Sequence, residues 1–383
     1  MQTSIAPGNC SANCWTAILN MELVSEKSLI TILVTGGAGF IGSNFIRYAL
    51  HKKPDLRIIN LDVLTYAGNP ANLIDIESQF AKRYRFLKGN ICDSLLLEKL
   101  FSEETIEGVI HFAAESHVDR SIHSPITFVE TNIVGTCRLM EVCSRHLNKK
   151  TGRNQFKFLH ISTDEVFGSL GESCYFVENS PYNPSNPYSA SKAGSDHMVR
   201  AWCRTYGFPA IITHSSNNFG PYQFPEKLIP FTIINLMESK SLPIYGDGKN
   251  IRDWLYVIDH CAALLTVFFS GTIGETYNIG GGAKQQNIDV VYSLCDIIDK
   301  RLGRKGRNAS RNLINYVKDR PAHDRSYAID ATKIKRELGW EPKFRFESAL
   351  AETVDWYISN REWINCLRIG EYRNWMKKNY QNR

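Results

Sequence analysis

No apolar stretch in this 383-residue chain approaches the ~18 residues needed to span a bilayer, so no membrane partner is expected. No long lysine or arginine run carries the net charge of +6. The densest basic part, Lys300 to Arg311, lacks a basic stripe with interleaved aromatics, and it reads as a solvated face. Nucleic acid is therefore not an expected partner, and a modest positive charge suits a small anionic substrate such as a nucleotide. The 10 cysteines are scattered, and Cys137, Cys143, Cys203, Cys261 and Cys295 sit in apolar segments. They read as small buried hydrophobes in a reducing compartment, which makes the cytoplasm the expected location. Cys10 and Cys14 resemble half of a metal site, but no second Cys/His pair follows nearby, so no metal is expected. The first 29 residues lack a basic start and a clean apolar stretch, so no secretory signal is expected there. They are expected to form a disordered extension, with Met21 offering an alternative start. There is no internal repeat and no low-complexity tract.

What is present is ordinary globular composition, 43% hydrophobic and 22% charged, with length for about 2–3 domains. The apolar runs alternate with helical patterns. Thr31–Val34 predicts a strand, followed by Thr35-Gly36-Gly37-Ala38-Gly39-Phe40-Ile41-Gly42-Ser43 and a helix that Pro54 ends. Arg57–Asp62 predicts a second strand ending in an acid. Strand, glycine turn, helix, strand and acid together form a dinucleotide-binding arrangement. Gly36 is expected to permit the tight turn, Gly39 to let the backbone approach a pyrophosphate, and Gly42 to let the helix pack on the strand. The helix N-terminus offers free N–H groups to phosphates. Asp62 lies about 20 residues past the last glycine, placed for the adenosine ribose hydroxyls, and an acid there favours NAD over NADP. Further strands are predicted at Tyr84–Leu87, Gly108–Ala114, Phe158–Ile161 and Ala210–Thr213, with helices from about Pro125 to His146 and from Pro187. The expected fold is α/β, a Rossmann-type doubly wound parallel sheet. From about Ser215 the rhythm breaks into short elements, predicting a smaller region that closes over the first. The expected division is a 1–29 extension, a 30–214 NAD-binding domain and a 215–383 region for substrate.

Ser162-Thr163-Asp164-Glu165-Val166-Phe167-Gly168 follows the Phe158 strand, and in open α/β sheets ligands bind at the carboxyl ends of strands. Adjacent residues of an extended chain point to opposite faces, so Asp164 and Glu165 are expected to reach two atoms of one substrate. An isolated Thr-Asp-Glu would be a solvated turn or a helix cap. Tyr188 and Lys192 are four residues apart, hence on one helix face, where an ammonium favours the phenolate. An isolated pair of that spacing would be a surface contact. Together, behind a dinucleotide-binding pattern, the two stretches point to an active site.

At these residues the chain resembles the extended short-chain dehydrogenases/reductases and, more narrowly, the dTDP-glucose 4,6-dehydratases. The resemblance runs from about Ile30 to Tyr357. It is carried by TGGAGFIGS from Thr35, LTYAGN from Leu64, FAAESHVDRSI from Phe112, STDEVFG from Ser162, NPYSASKA from Asn186, SSNNFGPYQFPEKLIP from Ser215, LPIYGDGKNIRDWLYV from Leu242, YNIGGG from Tyr277 and DRPAHDRSYAID from Asp319. The acidic pair is the discriminating feature, because relatives that only epimerise or reduce lack it.

The resemblance implies a lyase that oxidises dTDP-glucose at C4 with NAD, eliminates water across C5 and C6, and returns the hydride to C6. It implies that Tyr188 takes the C4 hydroxyl proton, that Thr163 holds the C4 oxygen, and that Lys192 lowers the Tyr188 pKa and binds the nicotinamide ribose. Glu165 is the implied C5 base and Asp164 the implied acid for the C6 hydroxyl. Besides the glycines and Asp62, the implied NAD site includes Phe40, Ile41, Thr65, Asn90 and Ile91. Phe112, Ala113, Ser116, Thr131 and Asn218 complete it. Asn217, Lys227, Arg252, Asn287, Arg320 and His323 are implied contacts of the sugar nucleotide, along with Ser116, His117 and Tyr327. Arginine suits the diphosphate because a guanidinium binds phosphate oxygens bidentately. A homodimer through the Pro125–His146 and Tyr188–Tyr206 helices is also implied. Departures from the family pattern are Val63, Asn90, Phe167, Phe219 and His214, none of them expected to touch the chemistry. A dehydratase of UDP-glucose or GDP-mannose is the alternative within the fold. A silent NAD-binding sensor is the alternative outside it, and the intact Thr163, Asp164, Glu165, Tyr188 and Lys192 argue against that.

Overall fold

The computed structural model describes residues 29–147, 156–170, 175–319 and 324–367. The extension, Cys10, Cys14, Arg320 and His323 therefore lie outside the described residues. Among the described residues no helix is long and apolar enough to cross a membrane.

The short β-branched runs become parallel strands: β1 (Ile30–Thr35), β2 (Leu56–Asp62), β3 (Tyr84–Lys88), β4 (Gly108–His111), β5 (Lys157–Thr163) and β6 (Ala210–Ser215). Beyond them come β7 (Asn217–Phe219), β8 (Leu242–Tyr245), β9 (Ile251–Tyr256), β10 (Thr276–Ile279), β11 (Lys284–Gln286) and β12 (Ile314–Val317). The main sheet has seven strands in the order β10-β6-β5-β4-β1-β2-β3. Val34 of β1 pairs with Asn60 on one side and Ile110 on the other, so the strand order reverses about β1 and β4. That reversal is where doubly wound sheets leave a crevice at the strand ends. Both faces are covered, which explains the continuous apolar runs. Ile32 and Val34 join a core with Phe45 and Ile46 of the Phe40–Lys52 helix, together with Leu264 and Val267 of the Val257–Ser270 helix. Leu33 points the other way, into a core with Leu100, Leu139, Met140 and Val199.

The chain beyond residue 214 forms a second lobe and also returns to the first. β10 pairs with β6, Tyr277 against Thr213, and supplies the seventh strand. The second lobe holds a small β11-β9-β7 sheet and a β12-β8 pair. Its core gathers Phe219, Ile233, Trp254, Leu294, Leu350 and Tyr357. Side chains bridge the lobes. Asn44 Nδ2 donates to Pro221 O at 2.9 Å, and Trp363 Nε1 donates to Asn72 Oδ1 at 2.8 Å. The long helix from Pro125 runs to Leu147 with a π-helical stretch, Val129–Gly135, inside it. Such wider turns recur at functional sites. Here the stretch carries Asn132, whose side chain exchanges hydrogen bonds with the Glu115 backbone and donates to Ser191 Oγ at 2.8 Å.

Candidate active site

The glycine turn behaves largely as its spacing suggests. Gly36 has φ +72°, and a Cβ there would lie 2.5 Å from Ala113 N. Only glycine fits that approach between the β1 turn and the end of β4. A Cβ on Gly39 would meet only Gly36 O, at 3.3 Å, which leaves the turn open on its other side. Gly42 differs from expectation. Its Cβ would lie 2.4 Å from Gly36 O and 2.7 Å from Gly37 Cα, so the close packing is of helix on turn rather than helix on strand. Asp62 is buried, and its carboxylate accepts the N–H groups of Ala38 at 2.9 Å and Leu64 at 2.8 Å. Burial raises its carboxyl, and the two N–H groups oppose that. Each oxygen retains a lone pair for a further donor.

β5 ends at Thr163, and Asp164–Phe167 is a 3-10 turn, not extended chain. Thr163 caps it, its Oγ1 accepting the Glu165 N–H at 3.3 Å. The acidic pair is therefore splayed by a tight turn rather than by strand alternation. Asp164 is 1% exposed while Glu165 is half-buried, and both line one cavity. Burial pushes the Asp164 carboxyl well above its ordinary value, and the nearby Glu165 and Asp253 charges add to it. Such a placement favours the protonated form of the carboxyl.

The Pro187–Tyr206 helix starts at an Asn186 capping box with Ser189, with proline in the first turn. That start fixes Tyr188 one turn before Lys192, both buried. Lys192 Nζ donates to Ile161 O at 2.8 Å. Burial lowers its ammonium to about 8. The Tyr188 phenol lies above its ordinary value, because burial and the Glu165 charge raise it more than the Thr163 hydrogen bond lowers it. The expected lowering by Lys192 is not what governs Tyr188 in this structure, since the phenol is buried beside carboxylates.

All these groups face one cavity of about 930 Å³ between the strand ends and the second lobe. Gly36, Gly39, Phe40, Ile41, Gly42, Asp62, Thr65, Asn90 and Ile91 line its β1–β3 end, with Phe112, Ala113, Ser116, Thr131 and Asn218. His117, Asn217, Lys227, Arg252, Asn287 and Tyr327 line it too. Arg252 Nη2 donates to Asp324 O at 3.0 Å, and its guanidinium lies 4.4 Å from the Tyr327 ring centre. Asp164 Oδ2, Asn217 Oδ1, Gln223 Oε1, Asn287 Oδ1 and Trp254 Nε1 are among the buried polar atoms on cavity residues with no hydrogen-bond partner among the described residues. Such atoms cost about 1–3 kcal/mol each when left unmade. The glycine cradle, Asp62 and these orphaned atoms fit a dinucleotide and a polar second ligand held side by side.

Three groups escaped the sequence reading. Glu226 lines the cavity with its carboxylate 3.5 Å from Arg120 Nε and 3.7 Å from His117 Nε2, and burial raises it to about 7. Its only sequence signal was its place beside Lys227. Asn132 sits next to Thr131 within the π-helical stretch. Asp196 follows Lys192 at the same spacing that links Tyr188 to Lys192, a signal that could have found it.

The family model for GDP-mannose 4,6 dehydratase matches residues 33–353. The dTDP-glucose 4,6-dehydratase of Salmonella typhimurium is 51% identical over 363 residues, covering 92% of this chain and 99% of that protein. Among solved structures, a Bacillus anthracis dTDP-glucose 4,6-dehydratase in complex with NAD has a TM-score of 0.78 at 45% identity, covering 88% of this chain and 99% of that one. A Streptomyces venezuelae dTDP-glucose 4,6-dehydratase, with NAD and a second ligand bound, has a TM-score of 0.80 at 44% identity with the same coverage. With its glycine turn, Asp62, Tyr188, Lys192 and acidic pair around one cavity, the chain belongs to the dTDP-glucose 4,6-dehydratase family.

Proposed function

We propose that this chain dehydrates dTDP-glucose to dTDP-4-keto-6-deoxyglucose and water, with NAD as a cofactor that ends the cycle unchanged. One observation carries the reading: a fully buried carboxyl, Asp164, whose proton affinity burial raises, stands next to the half-buried Glu165 in the cavity of Tyr188 and Lys192. Acid and base must coexist in such a site with their proton affinities pushed apart. The glycine turn and Asp62 would hold the dinucleotide, and the Asp62 charge disfavours a 2′-phosphate.

Bound NAD supplies the hydride acceptor at C4 and the hydride donor at C6. Tyr188 takes the proton of the C4 hydroxyl, with Thr163 hydrogen-bonded to the same oxygen. Lys192 keeps positive charge beside Tyr188, favouring the phenolate that accepts this proton. The C4 carbonyl then acidifies the C5 hydrogen, and Glu165 removes it as a proton. Asp164 gives its proton to the C6 hydroxyl, which departs as water. Glu165 returns a proton to C5, and the proton gained by Tyr188 balances the one lost by Asp164. Arg252, Arg320 and Lys227 would meet the diphosphate, while Asn217, Asn287, His323 and Tyr327 meet its nucleoside and sugar.

Residues 30–214 form the NAD-binding part and 215–383 mainly the substrate part, with β10 lent back to the sheet. A cytoplasmic homodimer fits the chain. Ile126, Val129 and Val134 are exposed apolar residues of the 125–147 helical run, and Tyr206 is exposed at the end of the second helix. The test is to offer dTDP-glucose, UDP-glucose and GDP-mannose in turn. Efficient conversion of dTDP-glucose alone to the 4-keto-6-deoxy sugar is expected. A preference for either other nucleotide, or no product at all, would overturn the reading.

A further inference from the structure

The helix face that carries Tyr188 and Lys192 carries a third group. Asp196 lies one turn further on, and its side chain is fully buried. A buried carboxylate is costly unless it is paired and hydrogen-bonded. Asp196 has three hydrogen-bonding partners, all at Oδ2, and His160 as a close neighbour whose Nε2 hydrogen-bonds Ser195 Oγ at 3.2 Å. His160 Nε2 of β5 lies 3.1 Å from Oδ1, and His214 Nε2 of β6 lies 3.1 Å from Oδ2. Ser162 Oγ donates to Oδ2 at 2.8 Å, and the Tyr182 hydroxyl donates to the same oxygen at 2.9 Å. Arg200, one turn along the helix, donates in turn to the Tyr182 hydroxyl. Burial raises the Asp196 carboxyl, but the adjoining His160 and the hydrogen-bonded His214 outweigh it and hold the group well below the carboxylate range. His214, a departure from the family pattern expected to lie clear of the chemistry, is one of these partners.

Two features separate this cluster from ordinary core polarity. Ser162 immediately precedes Thr163, Asp164 and Glu165, so the Ser162–Asp196 bond joins the strand end with the acidic pair to the helix with Tyr188 and Lys192. The second feature is charge. The titratable groups that interact with Lys192 are Asp196 of its own helix, His160 of β5 and His111 of β4. Both histidines are buried and held neutral by that burial, His160 at about 4. Asp196 is thus the anion that opposes loss of the Lys192 proton.

We propose that Asp196 is a positioning residue of the dehydration: it locks the Tyr188–Lys192 face against the Thr163-Asp164-Glu165 turn and keeps Lys192 an ammonium, touching neither substrate nor cofactor. This rests on the dehydratase reading for its kinetic consequence but not for its effect on Lys192. The test is Asp196→Asn in the full chain. Labelling of Lys192 with an amine reagent across pH, read by mass spectrometry, is expected to show a midpoint lower by about one pH unit than in the parent. Removing the anion makes the ammonium easier to deprotonate, so the alkaline limb of kcat moves to lower pH in the same sense. At neutral pH kcat falls about tenfold or more, with KM for dTDP-glucose held within about twofold. An unmoved labelling midpoint, or a fall in kcat with an unmoved limb, would reduce Asp196 to a structural residue and overturn the proposal. If the parent chain itself made no product, the dehydratase reading would fall while the labelling midpoint still decided Asp196. Ser162→Ala covers a variant that does not fold: it removes the tether and leaves the charge. It is expected to lower kcat severalfold at unchanged KM and midpoint, and a parental kcat would overturn the tether.

Discussion

Asp164→Asn isolates the elimination step. Asp164 is 1% exposed, its Oδ2 has no partner among the described residues, and its Oδ1 lies 3.4 Å from Thr163 Oγ1. Because burial raises this carboxyl, asparagine matches the shape and charge of its favoured neutral form, and only the transferable proton is lost. A positioned acid contributes ~10²–10⁴-fold, or about 3–5 kcal/mol of barrier, so product formation should fall by that factor. Stability should move the other way. A carboxyl raised on folding favours the folded state below its unfolded value near 3.9, and that advantage is lost as pH rises through the folded value. At neutral pH the variant should therefore unfold at a temperature equal to or above the parent's. Glu165 remains, so the C5 hydrogen should still exchange with heavy water, and absorbance of reduced nicotinamide should build up on the protein. The assays are product formation by NMR, C5 exchange, nicotinamide absorbance and thermal unfolding. Product at more than about a tenth of the parental rate, or unfolding as the cause of the loss, would refute the assignment of Asp164 as the acid.

Tyr188→Phe keeps the ring against Phe128, whose centroid is 6.3 Å away, and removes the proton acceptor; turnover should fall by at least ~10²-fold while NAD and dTDP-glucose still bind by calorimetry. Asp62→Ala should weaken NAD and reduce discrimination against NADP, measured as the ratio of the two dissociation constants, and an unchanged ratio would remove Asp62 from the ribose site. Gly36→Ala places a Cβ 2.5 Å from Ala113 N at a left-handed φ, so it should cost about 1–3 kcal/mol of stability and most retained NAD, read by thermal unfolding and by release of nucleotide on denaturation.

Local chemistry made much of this molecule legible in advance. Six of the seven sheet strands read directly, because strands buried on both faces are unbroken apolar runs. The glycine turn and Asp62 read from spacing, as did Tyr188 and Lys192. β10 did not, because Thr276–Ile279 is four residues with polar members and joins the sheet only by pairing with β6, some 60 residues away. The 3-10 turn at Asp164 was hidden for a similar reason: its cap is a Thr163 hydroxyl contact, not a periodic pattern. Asp196 and Glu226 were the least legible. Their burial is decided by partners from other elements, and isolated acids in a sequence look alike whether they end in water or beneath a cavity. The governing influence on Tyr188 was equally non-local, since other elements bury the phenol and the Glu165 charge reaches it from beyond the end of β5.

The central claim is that one cavity oxidises, dehydrates and reduces the same sugar. It is tested most directly by dTDP-glucose carrying deuterium at C4, converted in ordinary water and analysed by NMR. The account predicts deuterium at C6 of the 4-keto-6-deoxy product, a solvent hydrogen at C5, and no net consumption of NAD. Deuterium lost to solvent, or product formed only as NAD is consumed, would contradict it.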